Sequence, residues 1–97
     1  MIRDLLTGEE RLGPGVRGYT LEFGRGLYVP WIAAEREGQG DVGRYLDALP
    51  CNQRVVFPNV ISPRLAGMLL RRGFHVEDEW AAEFNEYVEC FVREAMP

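Results

Sequence analysis

The strongest constraint on this chain is a cluster of glycines set between a strand pattern and a helix pattern. Residues 27–34 (Leu-Tyr-Val-Pro-Trp-Ile-Ala-Ala) are aliphatic and aromatic and predict a strand. The turn Gly38-Gln39-Gly40-Asp41-Val42-Gly43 follows. Val42, Tyr45, Leu46 and Leu49 then recur at the spacing of an amphipathic helix, with Asp41 placed to cap it and Pro50 to stop it. Residues 53–61 predict a second, buried strand. Strand, helix and strand in that order predict a right-handed crossover between parallel strands that are neighbours or near neighbours.

Other elements flank this unit. Residues 19–23 alternate as a strand, and Gly24-Arg25-Gly26 turns the chain back into residues 27–34. Pro30 has no N–H to donate, which predicts a bulge or an open edge in the second strand. Ser62-Pro63 opens another helix, with Ser at the N-cap and Pro at the first helical position. It runs through Leu65, Met68 and Leu69 to Gly73, which suits a left-handed end. Residues 1–18 carry the turn signals Thr7-Gly8, Gly13-Pro14-Gly15 and Gly18, and a strand or helix opening at Ile2 has little support. The tail reads two ways. Trp80, Phe84, Val88, Phe91 and Ala95 fit a helical period, whereas Val88, Cys90 and Val92 alternate as in a strand, with Asn85-Glu86 as the turn. Periodicity alone mildly favours the helix.

Composition narrows the function classes. A length of 97 residues predicts a single domain over 1–97, and 46% apolar with 27% charged residues predicts a globular one. The core of so small a domain is limited, and a homodimer or a partner chain would extend it. No apolar run approaches the roughly 20 residues of a membrane span, and the charged N-terminus lacks a signal-peptide apolar region. The expectation is a cytoplasmic protein without a membrane partner. The net charge is −4, with 11 arginines and no lysine. That excludes Schiff-base or P-loop chemistry from a lysine of this chain, and argues against nucleic acid as a partner. Cys51 and Cys90 are too few for a disulfide framework and read as small apolar residues. With His75 the only histidine, no spacing supports a His/Cys metal site, so no metal is expected.

Glycines allow close backbone approach, and a helix N-terminus offers free N–H groups to a phosphate. In this light Ile32-Ala33-Ala34-Glu35-Arg36-Glu37-Gly38-Gln39-Gly40, with the helix after it, resembles the acetyl-CoA-binding segment of the GCN5-related N-acetyltransferases. In that family a strand leads into a V-x-P-E-x-R-G-x-G-x-G/A turn and a helix. Ile32 matches the Val, Ala34 the Pro, Glu35 the Glu, and Gly38 and Gly40 the glycines. Residues 55–74, closing on Gly73-Phe74, are similar to the family's next strand and helix. The similarity covers about residues 19–76. It implies a mixed α/β fold with a partly antiparallel sheet, a compact version of the acyl-CoA N-acyltransferase fold lacking the usual N-terminal part. Because a strand pair follows the Gly-Phe in the family, it also implies a hairpin over residues 75–94.

The implied function is binding of acetyl-CoA and transfer of its acetyl group to a small-molecule or peptide amine. The backbone of Trp31, Ile32 and Ala33 would hold the pantetheine arm. Gly38, Gln39, Gly40, Asp41, Val42 and Gly43 would hold the pyrophosphate, with Arg36 and Arg44 offsetting the Asp41 carboxylate. Candidate general bases are Glu22 and Glu35, either of which could take a proton from the attacking amine. Four positions depart from the pattern. Glu37 replaces the motif arginine, Val42 its last small residue, Leu69 a tyrosine general acid, and Pro30 removes a strand N–H. These departures motivate the alternative of a catalytically silent binding or assembly module, or of the cofactor half of a two-chain enzyme.

Overall fold

The computed structural model describes residues 10–23, 26–81 and 85–96. Ile2, the Gly24-Arg25 part of the first hairpin turn and Phe84 lie outside them. The elements are β1 (Glu10–Gly13), β2 (Val16–Phe23), β3 (Gly26–Ala34), α1 (Asp41–Asp47), β4 (Arg54–Pro58), α2 (Pro63–Leu70), β5 (His75–Ala81) and β6 (Glu86–Arg93). The strands form one mixed sheet in the order β1-β2-β3-β4-β6-β5. Among the described strands only β3 and β4 pair in parallel, as the crossover rule predicts; the other neighbours are antiparallel.

β5 runs in the same direction as β4, because β6 opposes both. The β3–α1–β4 and β4–α2–β5 connections therefore step the same way across the sheet, and a shared handedness puts both helices on one face. The core has that composition. Leu46 within α1, Leu49 just after it and Leu69 from α2 pack with Leu27, Val29, Val55, Phe57 and Phe91 from the strands. Phe57 meets Phe74 edge-on, with ring centroids 5.5 Å apart. On the opposite face Val56, Cys90 and Val92 form a second buried cluster beside Tyr28 and Val88. β4 is thus buried on both faces, as its Val-Val-Phe run requires.

Several boundaries differ from the sequence reading, each for a local reason. β2 starts at Val16 and pairs with β1 through the Gly13-Pro14-Gly15 turn, so the region read as turns holds a strand pair. Gly18 does not break β2. A Cβ there would lie 2.1 Å from the Trp31 carbonyl oxygen, so only glycine lets the two strands meet. β4 stops at Pro58, because Asn59 turns to a φ of 53°. The tail is the hairpin, with β6 paired to β4 as well as to β5. Ser62 caps α2 through the Leu65 N–H, and Gly73 takes a φ of 86° after its end, as the sequence predicts. Asp41 is not the cap of α1. Gly40 is, in a left-handed conformation without a side-chain bond, and Asp41 is the first helical residue.

Gly15 and Gly38 separate two glycine requirements. Both have positive φ, but a Cβ at Gly15 would sit 2.2 Å from Asp41 Oδ2, whereas a Cβ at Gly38 meets nothing within 4 Å. Gly38→Ala is expected to cost about 1 kcal/mol, from backbone strain alone. Gly15→Ala is expected to cost at least about 2 kcal/mol, since it must also displace a buried carboxylate. Urea denaturation of the two variants measures the difference.

Candidate functional site

β3 changes partners along its length. It pairs with β4 only through Gly26–Arg54, Leu27–Val55 and Tyr28–Val56. Toward β2 the register shifts between Tyr19–Trp31 and Leu21–Tyr28, so Val29 and Pro30 stand opposite the single residue Thr20. This is the bulge that Pro30 predicts, and a bulge bends its strand. Beyond it β3 continues to Ala34 beside β2, while its other edge has no strand neighbour among the described residues. The two parallel strands therefore part in a wedge whose apex is at Tyr28.

The wedge opens into a cavity of about 290 Å³ at the carboxyl ends of β3 and β4. Open sheets characteristically bind ligands at this position, outside the strand ends. Ile32, Ala33, Gly38, Gly40, Asp41, Val42 and Gly43 all line it, so the structure brings together most of the residues named for a cofactor. Trp31 and Gln39 do not line it. The Trp31 ring tilts against Tyr19 with centroids 5.9 Å apart, and the Gln39 carbonyl accepts a bond from Arg44 Nη2 at 2.8 Å. The far wall comes from α2, through Ser62, Arg64, Leu65 and Met68, which the sequence reading missed. The signal was present: if β3 and β4 are parallel neighbours, the helices that follow them start side by side, and Ser62-Pro63 marks the second start. Both helix N-termini face this cavity, together with Arg36 and Arg64. Free N–H groups, two positive dipole ends and the Arg64 guanidinium favour an anion there, against the Glu37 carboxylate on the same wall.

Asp41 is turned away from that role. It is only 7% exposed, and its carboxylate lies against Gly15 beneath the β1–β2 turn. Oδ1 accepts from Arg44 Nη2, and Arg36 Nη2 lies 4.0 Å from Oδ2. Oδ2 has no hydrogen-bond partner among the described residues. The carboxylate charge is thus balanced by Arg44 and Arg36 rather than presented to a ligand.

The two candidate bases are not brought together. Glu35 is at the outer end of β3, 3.8 Å from Arg11, with its backbone N–H bonded to the Gly15 carbonyl at 2.8 Å. Glu22 pairs with Leu27 near the opposite end of β3 and lines a different cavity, across α1. Leu69 is fully buried in the core. At the apex itself the side chain is Tyr28, on the helix-free face. Burial pushes the Tyr28 phenol above its usual pKa, and Glu79 adds to that rise, with Arg54 opposing it. Arg54 bridges the strands on this face, donating to Glu79 and to Glu94, the latter at 3.1 Å.

His75, Glu77 and Glu94 also gather on that face, with potential ligand atoms within 4.8 Å of one another. Sequence spacing could not show this group, because Glu94 reaches it through strand pairing. His75 is already bonded to Glu77 and Glu94 to Arg54, so the group is satisfied as it stands. Comparison with protein-family models, with curated proteins and with solved structures finds no match to this chain.

The thiols differ sharply. Cys51 is exposed, while Cys90 is 1% exposed, and burial, then Glu79, raises its pKa. Under native conditions a thiol reagent is expected to label Cys51 and spare Cys90, with the second equivalent reacting only in denaturant. Labelling of Cys90 at the rate of Cys51 would contradict the packing of the β4–β6 ladder.

Proposed function

We propose that the chain binds acetyl-CoA along the wedge and transfers the acetyl group to an amine. The observation that carries this reading is the parting of β3 from β4 directly into an anion-favouring cavity. One continuous path then offers unpaired strand edge for the amides of a pantetheine arm and helix N-termini with arginines for a pyrophosphate. The order of elements supports it: strand, glycine turn, helix, strand, helix, Gly-Phe and strand pair, the sequence of parts that the resemblance to the GCN5-related N-acetyltransferases implies. The residues present fit such a ligand through their backbone in β3 and the turn, and through Arg36 and Arg64.

In this reading the thioester reaches the apex, and the amine approaches from the face without helices. The neutral amine bonds to the carbonyl carbon, the C–S bond breaks, and the thiolate takes a proton. Neither Glu22 nor Glu35 is near the apex. Tyr28 is, and its phenol, a neutral proton donor at neutral pH, can donate to the thiolate. The phenolate then recovers its proton from the newly acylated nitrogen, beside the Arg54 guanidinium. Protons and charge balance without a further reactant.

Calorimetric titration with acetyl-CoA tests the binding half. The expected result is micromolar affinity, reduced about tenfold in Arg64→Glu with an unchanged melting temperature, since Arg64 is exposed and lines the cavity. Absence of binding at millimolar acetyl-CoA refutes the reading. The chemical half is tested by Tyr28→Phe, which keeps the ring against Val56. With hydroxylamine as a small acceptor, release of the CoA thiol is expected to slow at least tenfold while acetyl-CoA affinity stays the same. An unchanged rate removes Tyr28 from the reaction.

A further inference from the structure

We propose that a second cavity, on the side of α1 away from the wedge, binds a small primary amine with an apolar body, the ammonium paired to Glu22. The cavity holds about 510 Å³ and is bounded by the β1–β2 turn, β2, β3, α1 and the connection from α1 to β4. That volume lies within the roughly 300–1,000 Å³ usual for small-ligand sites. Leu12, Leu27 and Leu49 form its apolar floor. Leu27 and Leu49 belong to the buried core and Leu12 packs against it, so the floor is fixed by the fold and not by a ligand.

The charge on the wall is Glu22. The β2–β3 register sets it opposite Leu27, which places a carboxylate at the margin of the apolar floor. The Glu22 side chain has no hydrogen bond or ion pair with another described residue. Arg44 also lines the cavity, but its guanidinium is bonded to the Asp41 carboxylate and the Gln39 carbonyl. Asp41 and Arg44 cancel, which leaves Glu22 the unbalanced charge among the described lining residues. An anionic ligand is repelled, a neutral one loses the ion pair, and a compact cation with an apolar tail uses both wall and floor. Because Glu22 is exposed, the ion pair is screened and the affinity modest. This site is separate from the wedge and does not depend on acetyl-CoA binding.

The test is a ¹H–¹⁵N NMR titration of the full chain with phenethylamine, and with 2-phenylethanol as the neutral relative. Saturable shifts are expected at Thr20, Leu27, Leu49 and Gln53. Affinity is expected to fall about threefold for 2-phenylethanol, and by the same factor for phenethylamine with Glu22→Gln. The comparison of the two ligands on the unaltered chain stands even if the variant folds poorly. The proposal is overturned by absence of saturable shifts, by shifts confined to the wedge, by equal affinity for amine and alcohol, or by undiminished affinity in a folded Glu22→Gln chain.

Discussion

A parallel ladder draws backbone N–H groups from both strands, and β3 cannot supply one at Pro30. The ladder with β4 ends at Tyr28–Val56, just before that point. The extra residue at Val29–Pro30 bends β3, and the bend turns an ordinary parallel pair into a wedge. Everything at the candidate site lies downstream of that bend. The far half of β3 keeps β2 as its neighbour and offers its other edge, and the glycine turn starts at the mouth of the gap. A donor at position 30 would allow the ladder to continue, at the expense of the opening.

The one-sided placement of the helices gives the two faces different chemistry. On the helix face, apolar side chains from β3, β4 and β6 meet those of α1 and α2, and the helix starts concentrate positive potential at one end. Arg72 ties the two helices together, with Nε 2.8 Å from Asp47 Oδ1 and Nη1 bonded to the Met68 carbonyl. On the helix-free face, a small buried patch is overlaid by charged side chains that span β4, β5 and β6. Arg54 is the centre of that network, and its bond to Glu79 raises the guanidinium pKa further. The wedge is the passage between these two environments.

Much of this was legible in the sequence, because local rules and packing agree there. The crossover, the Ser62 cap, the left-handed Gly73 and the Pro30 bulge each follow from one residue type in one context. Where a distant partner decides, the sequence misled. Gly18 looks like a breaker until the Trp31 carbonyl is placed against it. The tail has a helical period, but β4 has an open edge, and pairing β6 beside it buries Cys90, Phe91 and Val92 together. Asp41 looked like a cap facing the ligand. Its burial against Gly15 depends on the β1–β2 turn, to which no strand pair had been assigned. The α2 wall of the cavity and the isolation of Glu22 behind α1 are likewise properties of the assembled layers.

Among the described strands β5 closes one end of the sheet, and its middle is Glu77-Asp78-Glu79. A second copy docking there strand to strand would bring carboxylates against carboxylates along the new ladder, and like charges opposite one another oppose pairing. The acidic run therefore terminates strand-to-strand pairing at this edge. An outer strand that could template a further one is thereby made a poor partner for its own copy.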